Sequence, residues 1–361
     1  MNPLLASNPA LPVRRLGPLG ICALGFPLLF PVLARVHAQA PALTPSFSGS
    51  SAEAISREVR AVFEKCKNAV ARVESTDTRG PLSGTGFFID TAGTLVTSYS
   101  VGGQSTDLVV CHEEKRLPAR RLAADPRCGV ALLKIEAQTP CLPKGSSKDL
   151  PVATPVVAIG FPLDLPLTPA FGTLAGFDLK YLGRHFGVGH LRANLPVQEG
   201  ESGAPVLDMN GHLVGMLVSC MEAGSAAFIV PVEAAEKLRT DYTRFGELRT
   251  AWLGLDLKDV HSTAEVLATA ADGPAALAGI QKGDRLLQMG SHPIRSVEDV
   301  LNASFYLSIG NPLPIRVQRN EETLELRVTP AAPPAAAPTT SAVPSTTPAA
   351  TPGAVRVDCT R

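Results

Sequence analysis

The chain carries no surplus charge of either sign: lysine plus arginine number 33, and so do aspartate plus glutamate. That balance leaves no basic footprint for nucleic acid. Metal-site spacing is missing too. The seven cysteines form no closely spaced pair, and His112-Glu113-Glu114 lacks the second histidine of a zinc helix, so it reads as a solvated turn. Neither a metal nor a small-molecule cofactor is expected. There is also no clean apolar span, because the run over residues 16–34 is broken by Pro18, Pro27 and Pro31.

What is present begins with an export pattern. Arg14 and Arg15 precede that apolar run, and Ala38 and Ala40 follow it. A positive region, an apolar region and small residues at the end make a signal peptide over residues 1–40, cut after Ala38 or Ala40. An uncleaved membrane anchor is the alternative. Two arginines are too few for a twin-arginine signal, and Cys22 follows Ile21, which is no lipoprotein site. The expected location is the periplasm or cell envelope. Cys66, Cys111, Cys128, Cys141, Cys220 and Cys359 then remain. They allow up to three disulfides of unassigned pairing, or simply small buried hydrophobes.

Residues 41–49 read as a Pro/Ser linker, and residues 331–361 as an Ala/Pro/Thr tail too poor in apolar surface to fold. The stretch between them suits two domains, 50–245 and 250–330. Ser50 and Glu53 make a capping box, and Ile55, Val59, Val62 and Cys66 recur at helical spacing. Short strands follow at 71–74, 84–90, 94–97, 108–111, 129–135 and 156–160, a spacing that points to β-barrels or a sandwich.

The organising stretch is Gly200-Glu201-Ser202-Gly203-Ala204-Pro205, followed by Val206-Leu207 and the pair Asn210-Gly211. The glycines permit a tight turn that points the N–H groups of Gly200 and Ser202 into one space, an oxyanion hole beside the Ser202 hydroxyl. Asn-Gly between apolar runs predicts a type I′ hairpin.

These segments resemble the HtrA/Deg type of trypsin-like serine protease. Its serine loop reads Gly-Asn/Asp-Ser-Gly-Gly-Pro, from which Glu201 and Ala204 depart. Ser83-Gly84-Thr85-Gly86-Phe87-Phe88-Ile89-Asp90, Ala158-Ile159-Gly160-Phe161-Pro162 and Phe228-Ile229-Val230-Pro231 match further family segments in order. The resemblance implies two six-stranded antiparallel barrels with the active site between them. It also places Ser202 as nucleophile. The family histidine position falls on Ser100 within Leu95-Val96-Thr97-Ser98-Tyr99-Ser100-Val101, and the family aspartate position on Gly129. Without a base a serine hydroxyl is a weak nucleophile, so the expectation is a pseudoprotease. His112 past a strand end, and His185 and His190 flanking a loop, are expected to be ordinary surface or satisfied histidines; Lys134 and Asp125 are not expected to substitute.

After residue 250, Trp252-Leu253-Gly254-Leu255, Ala278-Gly279-Ile280, Gly283-Asp284 and Gly290, a helix over 297–309 capped by Ser296 and Asp299, and strands over 313–318 and 324–329 resemble the family's PDZ domain. Such domains bind a peptide C-terminus as an added strand, with the N–H groups of a loop, here Trp252 to Leu255, holding the carboxylate. The favoured function is an exported, silent HtrA-like protein that binds peptides or unfolded chain ends through its PDZ domain in envelope quality control, possible oligomers with its relatives included. The alternatives are an active endopeptidase that serves Ser202 with an unconventional base, and a structural envelope protein. Removing residues 250–330 is expected to abolish C-terminal peptide binding while leaving the barrels folded, and dithiothreitol to lower the melting temperature.

Overall fold

The computed structural model describes residues 50–181, 184–220, 226–258 and 263–334. The expected signal peptide and linker, Cys22 and Cys359, and the tail beyond residue 334 lie outside them, as does the side chain of Cys220. No helix among the described residues is long and apolar enough to cross a membrane.

Helix α1 (Ser50–Cys66) opens the fold. Val62 and Cys66 are buried, with Val59 and Phe63 packed against the same cluster, but Ile55 at the start of the stripe is exposed. Strands β1 (Val70–Asp77), β2 (Gly80–Phe88) and β3 (Thr94–Ser98) follow, then the one-turn helix α2 (Tyr99–Gly102). The strands β4 (Thr106–His112), β5 (Lys115–Pro118), β6 (Arg120–Asp125) and β7 (Val130–Lys134) complete a seven-stranded antiparallel sheet ordered β5-β4-β1-β2-β3-β7-β6. Alternate apolar residues of these strands fill one face, with Val73, Phe88, Leu95, Val110 and Leu133 fully buried.

The first barrel departs from the expected six strands, its seven forming a sheet in open order, whereas the second is closed with six. Its strands are β8 (Pro155–Gly160), β9 (Thr168–Tyr181), β10 (Arg184–Asn194), β11 (Pro205–Leu207), β12 (Leu213–Cys220) and β13 (Ala227–Pro231), in the order β10-β13-β12-β11-β8-β9. The β11–β12 turn departs from the expected type I′. Only Gly211 of its central pair has positive φ, 79°. The Asp208 carboxylate accepts the N–H groups of Asn210 and His212, both at 2.8 Å, and so sets the turn instead. Helix α3 (Val232–Phe245) ends on Gly246 at φ 71°, the left-handed cap that glycine permits.

The third unit contains β14 (Leu255–Leu257), β15 (Val266–Thr269), α4 (Pro274–Leu277), β16 (Arg285–Met289), β17 (His292–Pro293), α5 (Val297–Phe305), β18 (Leu313–Arg319) and β19 (Glu322–Val328). Ser296 and Asp299 form the reciprocal capping box at the start of α5. This unit has its own core, including Leu253, Val266, Leu286, Val300, Ile315 and Val317. It is also joined to the barrels. Phe305 is buried in the same apolar cluster as Cys128 and Val188, and Asn302 Oδ1 accepts the Gly189 N–H at 2.8 Å. Glu298 is buried with its carboxylate 3.5 Å from Lys180 Nζ and 3.7 Å from His185 Nδ1. The two domains recognised in the sequence therefore share apolar surface through α5.

The four described cysteines are all free thiols. Cys66 and Cys128 are buried, and burial pushes the Cys128 thiol up to about 12. The reading as small buried hydrophobes holds for these two, and three disulfides are excluded.

Candidate functional site

The serine turn takes its shape from its glycines and from one threonine. Gly200 and Gly203 both have φ +92°, and a Cβ on either would sit 2.3 Å from Phe161 O or 2.1 Å from Thr85 O. Thr85 on β2 is fully buried. Its N–H donates to Ser202 O (2.9 Å) and its hydroxyl to Gly200 O (2.9 Å), while the hydroxyl accepts the Phe161 N–H (3.1 Å). The first barrel thereby holds the turn of the second. Sequence reading placed Thr85 in a family strand but missed this role, which has no local signature.

Two peptide planes decide where the N–H groups of Gly200 and Ser202 face. The carbonyl of Glu199 accepts the Leu163 N–H at 2.7 Å, and that of Glu201 accepts the Ala204 N–H at 2.9 Å. A trans peptide directs its N–H opposite its carbonyl. Neither N–H donates to any described group. The Glu201 side chain is buried and accepts the Gln198 N–H at 2.7 Å. Burial holds its carboxyl above the usual range, the hydrogen bond from Gln198 opposing this.

Three hydroxyls form a chain at the barrel boundary. Ser98 and Ser100 oxygens are 2.9 Å apart, Ser100 and Ser202 oxygens 3.2 Å, and Ser202 Oγ is 3.3 Å from the carbonyl oxygen of Val218. A carbonyl only accepts, and each serine owns one proton. Ser202 therefore donates to Val218, Ser100 to Ser202, and Ser98 to Ser100. The nucleophile position receives a proton from the residue at the family histidine position, where a base would take one away.

Gly129 lies in the turn after β6 with φ +71°, and a Cβ there would approach Val218 Cγ1 at 3.5 Å. Its carbonyl accepts the Tyr99 N–H at 2.7 Å, next to Ser100 in the chain. Asp125 is buried but committed to Arg127, whose guanidinium binds both its oxygens at 2.6–3.1 Å. Lys134 Nζ donates to the carbonyls of Ala92 and Ile135, both at 2.7 Å.

No described histidine is bonded to these serines. His112, expected in a solvated turn, ends β4 instead: it is buried against Phe88, with Nε2 2.7 Å from Asn68 O. His185 and His190 lie on one strand, β10, rather than flanking a loop. His190 is buried between Phe186 and Phe228, and burial lowers its imidazole to about 4. Ser100 and Ser202 open onto a groove of about 1860 Å³, bordered by Thr76, Leu82, Val197, Gln198, Leu217 and Val218 among others.

In the third unit, the loop expected to hold a carboxylate is partly used. Trp252 N–H donates to Ala331 O at 2.8 Å, and Ala331 N–H returns to Trp252 O at 3.1 Å. That corrects the expectation for Trp252, whose backbone donor is spent and whose indole lies against Gly254. The N–H groups of Leu253 and Gly254 donate to no described backbone group, and Gly254 turns the loop at φ +73°. Leu255 enters β14 and pairs with Thr269.

A serine turn between antiparallel barrels, followed by a small α+β unit with a Leu-Gly-Leu loop, defines a trypsin-like peptidase fold joined to a PDZ domain. The family descriptions agree: a trypsin-like peptidase domain matches residues 84–216 and a PDZ domain residues 251–329. In both domains the chain is similar to HtrA-type trypsin-like proteases. It is 27% identical over 264 residues to "Probable periplasmic serine endoprotease DegP-like" of Pseudomonas putida (strain W619), covering 68% of this chain and 55% of that protein. The same description applies to a Bartonella henselae protein, 27% identical over 269 residues, covering 68% and 52%. The chain thus spans about half the length of the curated relatives it matches. Among solved structures, "HtrA-type protease AlgW with decapeptide" superposes with a TM-score of 0.60 at 20% identity, covering 76% of this chain and 99% of that one. The serine endoprotease from Yersinia pestis gives 0.56 at 22% identity, covering 76% and 97%.

Proposed function

We propose that this protein is an exported, proteolytically silent HtrA-type chain that binds peptide or unfolded-protein C-termini through its PDZ domain, in envelope protein quality control. The observation that carries the silent reading is the direction of the hydroxyl chain, Ser98 to Ser100 to Ser202 to the Val218 carbonyl. Attack by Ser202 on an amide requires a group that accepts its proton as the C–O bond forms. Its proton faces a backbone carbonyl, which is no base near neutral pH, and its oxygen already accepts from Ser100. Nor do Asp125, Lys134 and His190 offer a base, since each is committed or buried elsewhere. Without the histidine, serine-protease catalysis falls by about a million-fold.

The peptide-binding reading is supported by the PDZ match and by the free donors of Leu253 and Gly254. A peptide-bound HtrA-type structure also shares the fold. The periplasmic location follows the names of the DegP-like relatives. The test is incubation of purified mature protein with casein and with a fluorophosphonate probe, alongside the Ser202→Ala variant. The expected result is no cleavage and no labelling in either. Cleavage that disappears in Ser202→Ala would overturn the silent reading and favour an endopeptidase with an unconventional base.

A further inference from the structure

We propose that the serine turn of the barrels is itself a receptor for a chain-terminal carboxylate, a second such site besides the PDZ loop; this rests on the silent reading above. A catalytic serine site binds a reacting amide and then expels a carboxylate. Here donors flank Ser202, and the Val218 carbonyl is the acceptor its hydroxyl meets. Ser100 and Ser98 each bring a hydroxyl where an imidazole lone pair would oppose a carboxylate oxygen. The N–H groups of Gly200 and Ser202 have no described partner, and their peptides are pinned from the far side by Leu163 and Ala204. One carboxylate oxygen fits the two N–H groups. The other accepts the hydroxyl protons of Ser202 and Ser100, with Ser202 turning away from Val218 O, its weakest contact at 3.3 Å.

The groove supplies room for the chain that leads to this end. At about 1860 Å³ it has volume enough for several residues, and Val197, Leu217 and Val218 in its lining suit an apolar last residue. Its arginines are already matched, Arg72 to Asp164, Arg79 to Asp77 and Arg116 to Glu74. Glu199 on the turn and Asp107 in the groove lining add negative charge, so the site takes one carboxylate at its donor end rather than an acidic peptide. None of the donors titrates between pH 5.5 and 8.

The test uses the full mature chain and a fluorescein-labelled Ala-Ala-Leu peptide, as the free acid and as the C-terminal amide, read by anisotropy and checked for cleavage by mass spectrometry. The free acid is expected to bind two sites and the amide neither. Ser100→Ala with Ser202→Ala is expected to weaken one site at least about tenfold, since each hydroxyl bond to a carboxylate is worth about that factor. Wild-type affinity at that site is flat from pH 5.5 to 8. In Ser100→His it becomes pH-dependent, tightening below about 6.5 as the imidazole gains its proton. A PDZ site alone does not produce that signature. Unchanged binding in the double alanine variant, together with a flat profile in Ser100→His and an unaltered melting temperature in both, would overturn the proposal while leaving the silent reading intact. Cleavage of the amide by wild-type protein would overturn both.

Discussion

The guanidinium of Arg127 lies over the ring of Phe305, 5.4 Å from its centroid, and joins the turn before Gly129 to the last residue of PDZ helix α5. Arg127 meanwhile holds the buried Asp125 carboxylate. Phe305 is 7% exposed, with barrel residues Cys128 and Val188 in the same cluster. The contact places apolar surface of the PDZ domain against the barrels.

Phe305→Ala is therefore expected to destabilise the full chain by about 3 kcal/mol, the lower end for an aromatic removed from a core. Removal of residues 250–330 is expected to lower the melting temperature of the barrels, because Cys128 and Val188 lose their cover. A urea midpoint in Phe305→Ala equal to wild type, or a truncated protein melting with the full chain, would show that the interface contributes nothing.

Restoring the family residues should restore chemistry. Ser100→His with Gly129→Asp is expected to make Ser202 reactive toward a fluorophosphonate, since a positioned general base contributes about 10²–10⁴-fold. Gly129 stands at φ +71° with ordinary contact space ahead of its Cβ. Aspartate tolerates this left-handed backbone better than most residues. Either single variant should label far less, because histidine without its orienting carboxylate loses about 10⁴-fold. Equal labelling of the single and double variants would contradict the assigned positions.

Glu201 makes stability depend on pH. Its carboxyl is held above the ordinary 4.5 by burial. A raised folded pKa means that the folded chain holds the proton more tightly than the unfolded chain. The stabilisation is complete below 4.5 and is lost as pH rises through the folded value. Glu201→Gln keeps an acceptor for the Gln198 N–H but removes the buried charge. Its melting temperature relative to wild type should be higher at pH 7, with the gap closing below pH 4 or so. A gap that stays constant across that range would rule out titration of Glu201 as its cause.

The cysteines should sort by burial. Cys141 is exposed, Cys111 half-buried against the Glu74 carboxylate, and Cys66 and Cys128 buried. Iodoacetamide at pH 8 is expected to modify Cys141 in the native protein, and Cys66 and Cys128 only after unfolding. Dithiothreitol should leave the contribution of these four to the melting temperature unchanged. Mass spectrometry finding any two of them disulfide-linked in untreated protein would refute this.

Much of the fold was legible because it rests on local chemistry. The capping box at Ser296, the apolar alternation of the first-barrel strands and the glycines of the serine turn each act over a few residues. The long pair β9 and β10 was not legible as strands: Gly172, Gly176, Gly187 and Gly189 interrupt their apolar pattern. His112, read as part of a solvated turn because no second histidine follows at zinc-helix spacing, is buried at the end of β4.

By itself the sequence determined the order of the segments and the identity of the residues at Ser100, Gly129 and Ser202, hence the absence of an ordinary base there. Only the tertiary structure decided what those residues do to one another. Ser100 and Ser202 are 102 positions apart, so their 3.2 Å contact and the proton direction it imposes have no trace in local spacing. The same holds for Thr85 gripping the serine turn, for Ala331 occupying the Trp252 donor and for Phe305 entering the barrel cluster. A hydrogen bond is set by where two atoms finally lie, and for residues so far apart in the chain only the packing of whole elements places them.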